Sequence, residues 1–306
     1  MTEPKPRWYI LGAGSIGCLW ASYWRLSGFQ VTLITPTARH RSYIELTHNN
    51  EEDHQKIERI EIDTLTVQEL VHSELLIDYL LVTTKAHQTY DAIAKIKNKI
   101  AKDANVLILQ NGMAGREIPA LLSEQHLITA ITTDGAYRSD ELSVNHAGRG
   151  QTYVGCEEHF LKLLPSSYLE VNSCKDIEIR QWKKLAINCA INGLTVIFNC
   201  RNGDLLTIPA AKKSLMELSQ EIETIAGALG PSHTLDKFFS AVEETVQNTR
   251  DNYSSMHQDI ANGRKTEIDH INQYLLTQAE RLGIDCPINR EIVSAIKDRE
   301  KQRKTE

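Results

Sequence analysis

Long apolar runs, paired cysteines and excess positive charge are all missing from this sequence. No stretch approaches the ~18 consecutive apolar residues of a membrane-spanning helix. The segment from Met1 to Arg7 is polar, carries Pro4 and Pro6, and lacks the apolar core of a signal peptide. These absences predict a soluble, cytoplasmic protein with no membrane partner. The six cysteines (Cys18, Cys156, Cys174, Cys189, Cys200 and Cys286) include no C-x-x-C pair. In a cytoplasmic chain they read as free thiols, so neither disulfides nor a bound metal is expected. The formal net charge of -6 argues against a nucleic-acid partner. The short basic tail from Arg299 to Lys304 is mixed with acids and reads as a solvated helix end. The eleven histidines show no ligand spacing. No serine–histidine–carboxylate set is apparent, and no cysteine has an obvious activating partner.

What the sequence does contain is a globular balance of 41% hydrophobic and 24% charged residues over 306 positions, enough for two domains. The first half alternates strand and helix patterns. Strands are expected at Trp8–Leu11, Gln30–Ile34, Tyr79–Thr83, Asn105–Leu109 and Leu127–Thr132. Helices are expected at Ser15–Leu26, closed by Gly28, then Thr89–Ile100 and Glu117–Leu122. That alternation predicts a parallel, doubly wound α/β sheet. Tyr137–Val154, broken by Gly148 and Gly150, reads as antiparallel strands finishing the same sheet. Pro, Ser and Asn between Pro165 and Asp176 place a domain boundary there, giving 1–174 and 175–306. Beyond it the periodicity is helical, around Gln181–Phe198, Lys212–Ala228 and Leu235–Ala261. A last stretch, Thr266–Arg281, stops at Gly283 with Pro287 beyond.

The strongest local signal is Gly12-Ala13-Gly14-Ser15-Ile16-Gly17, between a strand and a helix. Gly12 suits a tight turn, Gly14 a close approach of backbone to a pyrophosphate, and Gly17 close packing of helix on strand. The helix N-terminus adds amides and partial positive charge for phosphates. A dinucleotide cofactor follows. An NAD site usually has Asp or Glu at the end of the second strand. Here that position holds Thr35, then Pro36 and Thr37, with Arg39 and Arg41 close behind. With no acid to repel a 2′-phosphate and two guanidiniums to clasp one, the expected cofactor is NADPH/NADP. The sequence does not choose between the two arginines.

A second constellation runs from Trp182 to Asn192. On a helix, Lys184, Asn188 and Asn192 fall at i, i+4 and i+8 and share one face, while Leu185 and Ile191 lie elsewhere. Amides are mediocre helix formers, so propensity does not explain this stripe. A third runs from Tyr253 to Asp259 and from Arg264 to Asp269, interrupted by Gly263. There Thr266 is expected to cap a helix and place Glu267 in its first turn.

Taken with Val82-Thr83-Thr84-Lys85-Ala86, Leu109-Gln110-Asn111-Gly112-Met113 and the Asn199-Cys200-Arg201-Asn202-Gly203 turn, these motifs resemble the ketopantoate reductase (2-dehydropantoate 2-reductase) family over nearly the whole chain. Two departures stand out. Gly193 replaces the proline of many members, and Thr35-Pro36 replaces an arginine near the end of the second strand. The resemblance implies an N-terminal Rossmann-type domain followed by an all-α domain like the C-terminal domain of 6-phosphogluconate dehydrogenase relatives. It implies Lys184 as general acid at the carbonyl oxygen and Glu267 completing the active site. It also implies Asn188, Asn192, Asn202, Ser255 and Asn111 against a small-molecule substrate. Lys85, Asn111 and Glu267 then stand near the cofactor, together with the glycine loop. The implied reaction is NADPH-dependent reduction of 2-dehydropantoate to (R)-pantoate in pantothenate and coenzyme A biosynthesis. Two alternatives stay open: an NADP enzyme acting on another small 2-oxo or 3-hydroxy acid, and a non-catalytic NADP(H) sensor. The sequence does not give the oligomeric state; a homodimer is one option.

Overall fold

The structure is a computed structural model that describes residues 5–49, 55–113, 117–230, 233 and 235–302. The chain divides into two compact units, one of Met1–Gln110 with Gly115–Ile177 and one of Asn111–Ala114 with Glu178–Glu306.

The first unit contains β1 (Arg7–Leu11), α1 (Ser15–Leu26), β2 (Gln30–Thr35), β3 (Tyr43–Asn49), β4 (Gln55–Glu61), β5 (Asp63–Thr66) and α2 (Val67–His72). It continues with β6 (Ile77–Val82), α3 (Ala86–Ile96), β7 (Ile100–Leu109), α4 (Ile118–Leu121) and β8 (His126–Thr132). β9 (Gly135–Asp140), β10 (Ser143–Gly148), β11 (Gln151–Val154) and β12 (Glu170–Ser173) follow. Eight strands form one sheet in the order β12-β11-β8-β7-β6-β1-β2-β5. It is parallel except where β11 runs against β8. Both faces of its centre are covered, so β1 reads as an unbroken buried run, Trp8 to Leu11. The strand order reverses at β1, flanked by β2 and β6. Ligands bind outside the carboxyl ends of strands at such a reversal, and the glycine loop leaves β1 there.

A separate four-stranded sheet has the order β4-β3-β10-β9. Here the sequence expectation is corrected: of the Tyr137–Val154 strands only β11 extends the main sheet, while β9 and β10 join β3 and β4. A period of two marks a strand and its buried face but not its partner. Ile44, Leu46 and Val144 from this small sheet, with Leu142 from the β9–β10 turn, pack with Leu19 and Tyr23 of α1 in one core. A buried polar chain fastens the two. Tyr23 Oη lies 2.7 Å from His146 Nδ1, and His146 Nε2 lies 3.2 Å from Asp134 Oδ1. Burial of Asp134 disfavours its charge. Hydrogen bonds from His146, Thr132 and the Gly150 amide outweigh that and hold its carboxyl below the usual range.

The second unit is helical: α5 (Ile177–Ile197, whose first residue belongs to the first unit), α6 (Asp204–Thr207), α7 (Pro209–Leu229), α8 (Phe238–Asn248), α9 (Ser255–Ala261), α10 (Asn272–Leu282) and α11 (Pro287–Gln302). Two sequence expectations are corrected here. Leu235–Ala261 is not one helix but α8 and α9, parted after Thr249. Thr266–Arg281 opens with a single 3-10 turn, Ile268–His270, before α10 begins. The stop at Gly283 is as expected, with φ of 69° in the left-handed region.

α5 is held on its inner side by buried polar groups. Asn272, at the start of α10, donates to the Cys189 carbonyl at 3.0 Å and to Asn289 Oδ1 at 2.9 Å. Asn289 in α11 returns a bond to the Asn272 carbonyl at 3.0 Å. Gly193 explains itself here: a Cβ at that point would lie 2.4 Å from Ile292 Cγ2 of α11. Glycine inside a helix costs about 1 kcal/mol against alanine, and close helix contact offsets it. No helix among the described residues is long and apolar enough to cross a membrane.

Candidate active site

The glycine loop has the shape a dinucleotide requires. Gly12 has φ of 116°, and a Cβ there would lie 2.8 Å from the Thr84 amide nitrogen. A Cβ on Gly17 would lie 1.9 Å from the Gly12 carbonyl oxygen. Both positions are closed to any side chain. Gly14 differs, since a Cβ there meets nothing within 4 Å. The backbone at Gly14 therefore fronts open space at the start of α1, whose N-terminus has no side-chain cap and no acid in its first turn. That leaves the Ser15, Ile16 and Gly17 end of the helix to an anionic ligand. Thr83 at the end of β6 donates to the Gly12 carbonyl at 2.8 Å and braces the loop. Lys85 sits next to it, half-buried, at the N-cap of α3.

This asymmetry sets up a test. Gly14→Val is expected to fold with an unchanged melting temperature and to lose measurable NADPH binding by calorimetry, because its branched side chain fills the phosphate's space. Retained NADPH affinity would assign the loop another role.

Thr35 is fully buried, and its hydroxyl donates to the Thr37 carbonyl at 2.8 Å. The two candidate arginines are both ion-paired. Arg39 Nη1 lies 2.9 Å from Glu141 Oε1, and Arg41 Nη2 lies 3.0 Å from Asp140 Oδ2. Asp140 and Glu141, which end β9 and begin its turn into β10, were not anticipated from sequence. Roughly a hundred residues separate them from the arginines, and no local pattern links the two. The same strand carries Arg138, also unanticipated, whose Nη1 donates to the Ala13 carbonyl of the glycine loop at 2.6 Å.

The helical unit assembles its own cluster. On α5, Lys183 is exposed while Lys184 and Asn188 are half-buried and Asn192 is buried. Leu185 and Ile191 are in the core, as the helix period requires. The Lys184 ammonium donates to Asn111 Oδ1 at 2.8 Å, and Asn111 Nδ2 donates to Glu267 Oε2 at 3.3 Å. A cation, an amide and a carboxylate from three distant stretches thus form one chain. The charges on either side orient the amide, oxygen toward ammonium and nitrogen toward carboxylate. Gly112 makes the loop approach possible. Its φ is 75°, and a Cβ there would lie 2.6 Å from the His270 carbonyl oxygen. The Met113 amide donates to that same carbonyl at 3.3 Å, and Gln181 of α5 donates to the Gly112 carbonyl at 3.4 Å. An Asn-Gly pair suits such a turn.

Glu267 precedes the 3-10 turn and makes no side-chain cap to it; Thr266 accepts the Ile268 amide at 3.2 Å instead. This corrects the expected placement of Glu267 in a helical first turn and leaves its carboxylate turned to Asn111. Of the adjacent serines, Ser254 is buried and caps α9, whereas Ser255 is exposed. Asn202 is buried, its amide nitrogen donating to Thr249 Oγ1 at 2.9 Å, which ties it to the helical packing. Burial pushes the thiols of Cys18, Cys156, Cys200 and Cys286 up to about 11, and that of Cys189 higher still. Burial thus disfavours the thiolate form at all five.

The sequence profile described as "Ketopantoate reductase PanE/ApbA" matches residues 8–159, and "Ketopantoate reductase PanE/ApbA C terminal" matches residues 176–300. The chain belongs to the ketopantoate reductase family. A 2-dehydropantoate 2-reductase of Vibrio cholerae is 32% identical over 297 residues, covering 94% of this chain and 96% of that protein. A PanE/ApbA family ketopantoate reductase from Ralstonia eutropha JMP134 superposes with a TM-score of 0.83 at 24% identity, over 98% of this chain and 100% of that one. A D-mandelate dehydrogenase solved with NADH and anilino(oxo)acetate reaches 0.87 at 23% identity, over 98% and 99%. These two share the fold. The glycine loop lies in the first matched stretch of the ketopantoate reductase profiles, and Lys184 and Glu267 lie in the second.

Proposed function

We propose that this chain is a cytoplasmic enzyme that reduces 2-dehydropantoate to (R)-pantoate with NADPH, supplying pantothenate and coenzyme A biosynthesis. The observation that carries the proposal is the Lys184–Asn111–Glu267 chain, in a family whose Vibrio cholerae relative bears that activity's name. The open face of Gly14, the uncapped start of α1 and the lack of an acid at Thr35 fit the cofactor.

When bound, NADPH supplies the hydride for the 2-oxo carbon. Negative charge then develops on the carbonyl oxygen. Lys184 stabilises it and delivers its proton there, which makes the hydroxyl, and the neutral amine regains a proton from water. Asn111 fixes the direction of the ammonium by accepting one of its three hydrogens. Glu267 accepts a hydrogen bond from the forming hydroxyl. Asn188 and Asn192, whose amides make no hydrogen bond among the described residues, are left to donate to substrate oxygens without adding charge. Ser255 offers a further hydroxyl. A sensor that only bound the cofactor would have no use for this set.

The test is NADPH oxidation followed at 340 nm on addition of ketopantoate, alongside other 2-oxo acids and NADH. Turnover with ketopantoate and NADPH well above every other combination is expected. Higher kcat/KM on a different 2-oxo acid would reassign the substrate, and tight NADPH binding without turnover would make the chain a sensor.

A further inference from the structure

In a doubly wound nucleotide fold, the end of the second strand reads the adenosine ribose. In this protein that corner is built from two segments. The turn after β2 brings Arg39 and Arg41, and the β9–β10 turn brings Asp140 and Glu141 to meet them at 3.0 Å or less. Each of these guanidiniums already has a carboxylate. Arg138 is different. It is exposed and stands two residues before Asp140, where the β9–β10 register slips by one residue. Such slips re-aim side chains. Among the described residues its side chain hydrogen-bonds the neutral Ala13 carbonyl in the glycine loop, at 2.6 Å. Three guanidiniums against two carboxylates leave one positive charge over, and its place is between the ribose corner and the glycine loop. The buried Tyr23–His146–Asp134 chain fixes the small sheet on α1, so β9 is rigidly placed.

We propose that Arg138, rather than Arg39 or Arg41, is the guanidinium that discriminates a 2′-phosphorylated adenosine from an unphosphorylated one. The proposal rests on the NADPH reading above. Arg39–Glu141 and Arg41–Asp140 are then the frame that shapes the corner with no net charge. Arg138 leaves a weak neutral acceptor for a dianion that its planar fork can grip with two bonds.

Calorimetry on the full-length protein separates the possibilities, with adenosine 2′,5′-bisphosphate and 5′-AMP as the probes, since they differ only in the 2′-phosphate. Wild type is expected to prefer the bisphosphate. Arg138→Met is expected to weaken the bisphosphate about 10- to 100-fold, the scale of one charged hydrogen-bonding partner, with 5′-AMP nearly unchanged. Arg138→Lys, which keeps the charge but not the fork, is expected to fall between. The double variant R39Q/E141Q removes an ion pair without changing net charge and is expected to keep the preference. Loss of preference in R39Q/E141Q with retention in Arg138→Met would overturn the proposal. So would equal weakening of both probes by Arg138→Met, which would mark Arg138 as a brace for the glycine loop. A wild type with no preference removes the NADPH reading itself and this proposal with it.

Discussion

Lys184→Ala is expected to lower kcat for ketopantoate by about 10²–10⁴-fold, the usual loss for a general acid, while Lys183→Ala changes it little. The two lysines are adjacent in sequence, yet a helix turns them ~100° apart. Lys183 is exposed; Lys184 is half-buried with its ammonium on Asn111 Oδ1 at 2.8 Å. Removing Lys184 takes away both the charge that answers the developing oxyanion and the proton that completes the hydroxyl. NADPH affinity should survive, because the glycine loop lies elsewhere in the sequence and makes its own contacts. Steady-state kinetics and NADPH titration of both variants decide the matter. Similar kcat for the two, or a worse Lys183 variant, would remove Lys184 from the reaction.

The second large effect is at Glu267. Glu267→Gln is expected to reduce kcat/KM for ketopantoate about 10- to 100-fold, as for a lost charged hydrogen-bond partner. Melting temperature and NADPH affinity should stay nearly unchanged. A helix-capping role would give the opposite pattern, at a cost of about 1 kcal/mol in stability and little in turnover. In the structure the Glu267 side chain makes no cap to the 3-10 turn and accepts from Asn111 at 3.3 Å. Glutamine can reach Asn111 as well, but it offers a neutral oxygen where the substrate hydroxyl needs an anion. Glu267→Ala should be worse again. Normal turnover with a lower melting temperature would return Glu267 to a structural role.

The elements legible in the sequence are those whose causes are local. α1 occupies the residues expected, Ser15–Leu26, because the glycine loop begins it and Gly28, with φ of 80°, follows its end. The central strands were legible because burial on both faces makes them apolar throughout. The lysine–asparagine face of α5 follows from the helix period alone. β3, β4 and β5 were missed. β4 is largely exposed and carries Lys56, Glu58, Arg59 and Glu61, so its sequence resembles a polar loop. The joining of β9 and β10 to β3 and β4 was missed because pairing partners are chosen by distant segments.

By itself, then, the sequence determined the dinucleotide loop, the parallel core, the helical second half and the lysine–asparagine face of α5. Each of these is written in spacings of a few residues, and the backbone's own periods read them out. Tertiary structure alone decided which groups meet. It put Asn111 between Lys184 and Glu267, which are 73 and 156 positions away from it. It also paired Arg39 and Arg41 with acids some hundred residues distant and left Arg138 beside the glycine loop. Contacts of that kind depend on the packing of whole sheets and helices against one another, and no local pattern of residues encodes them.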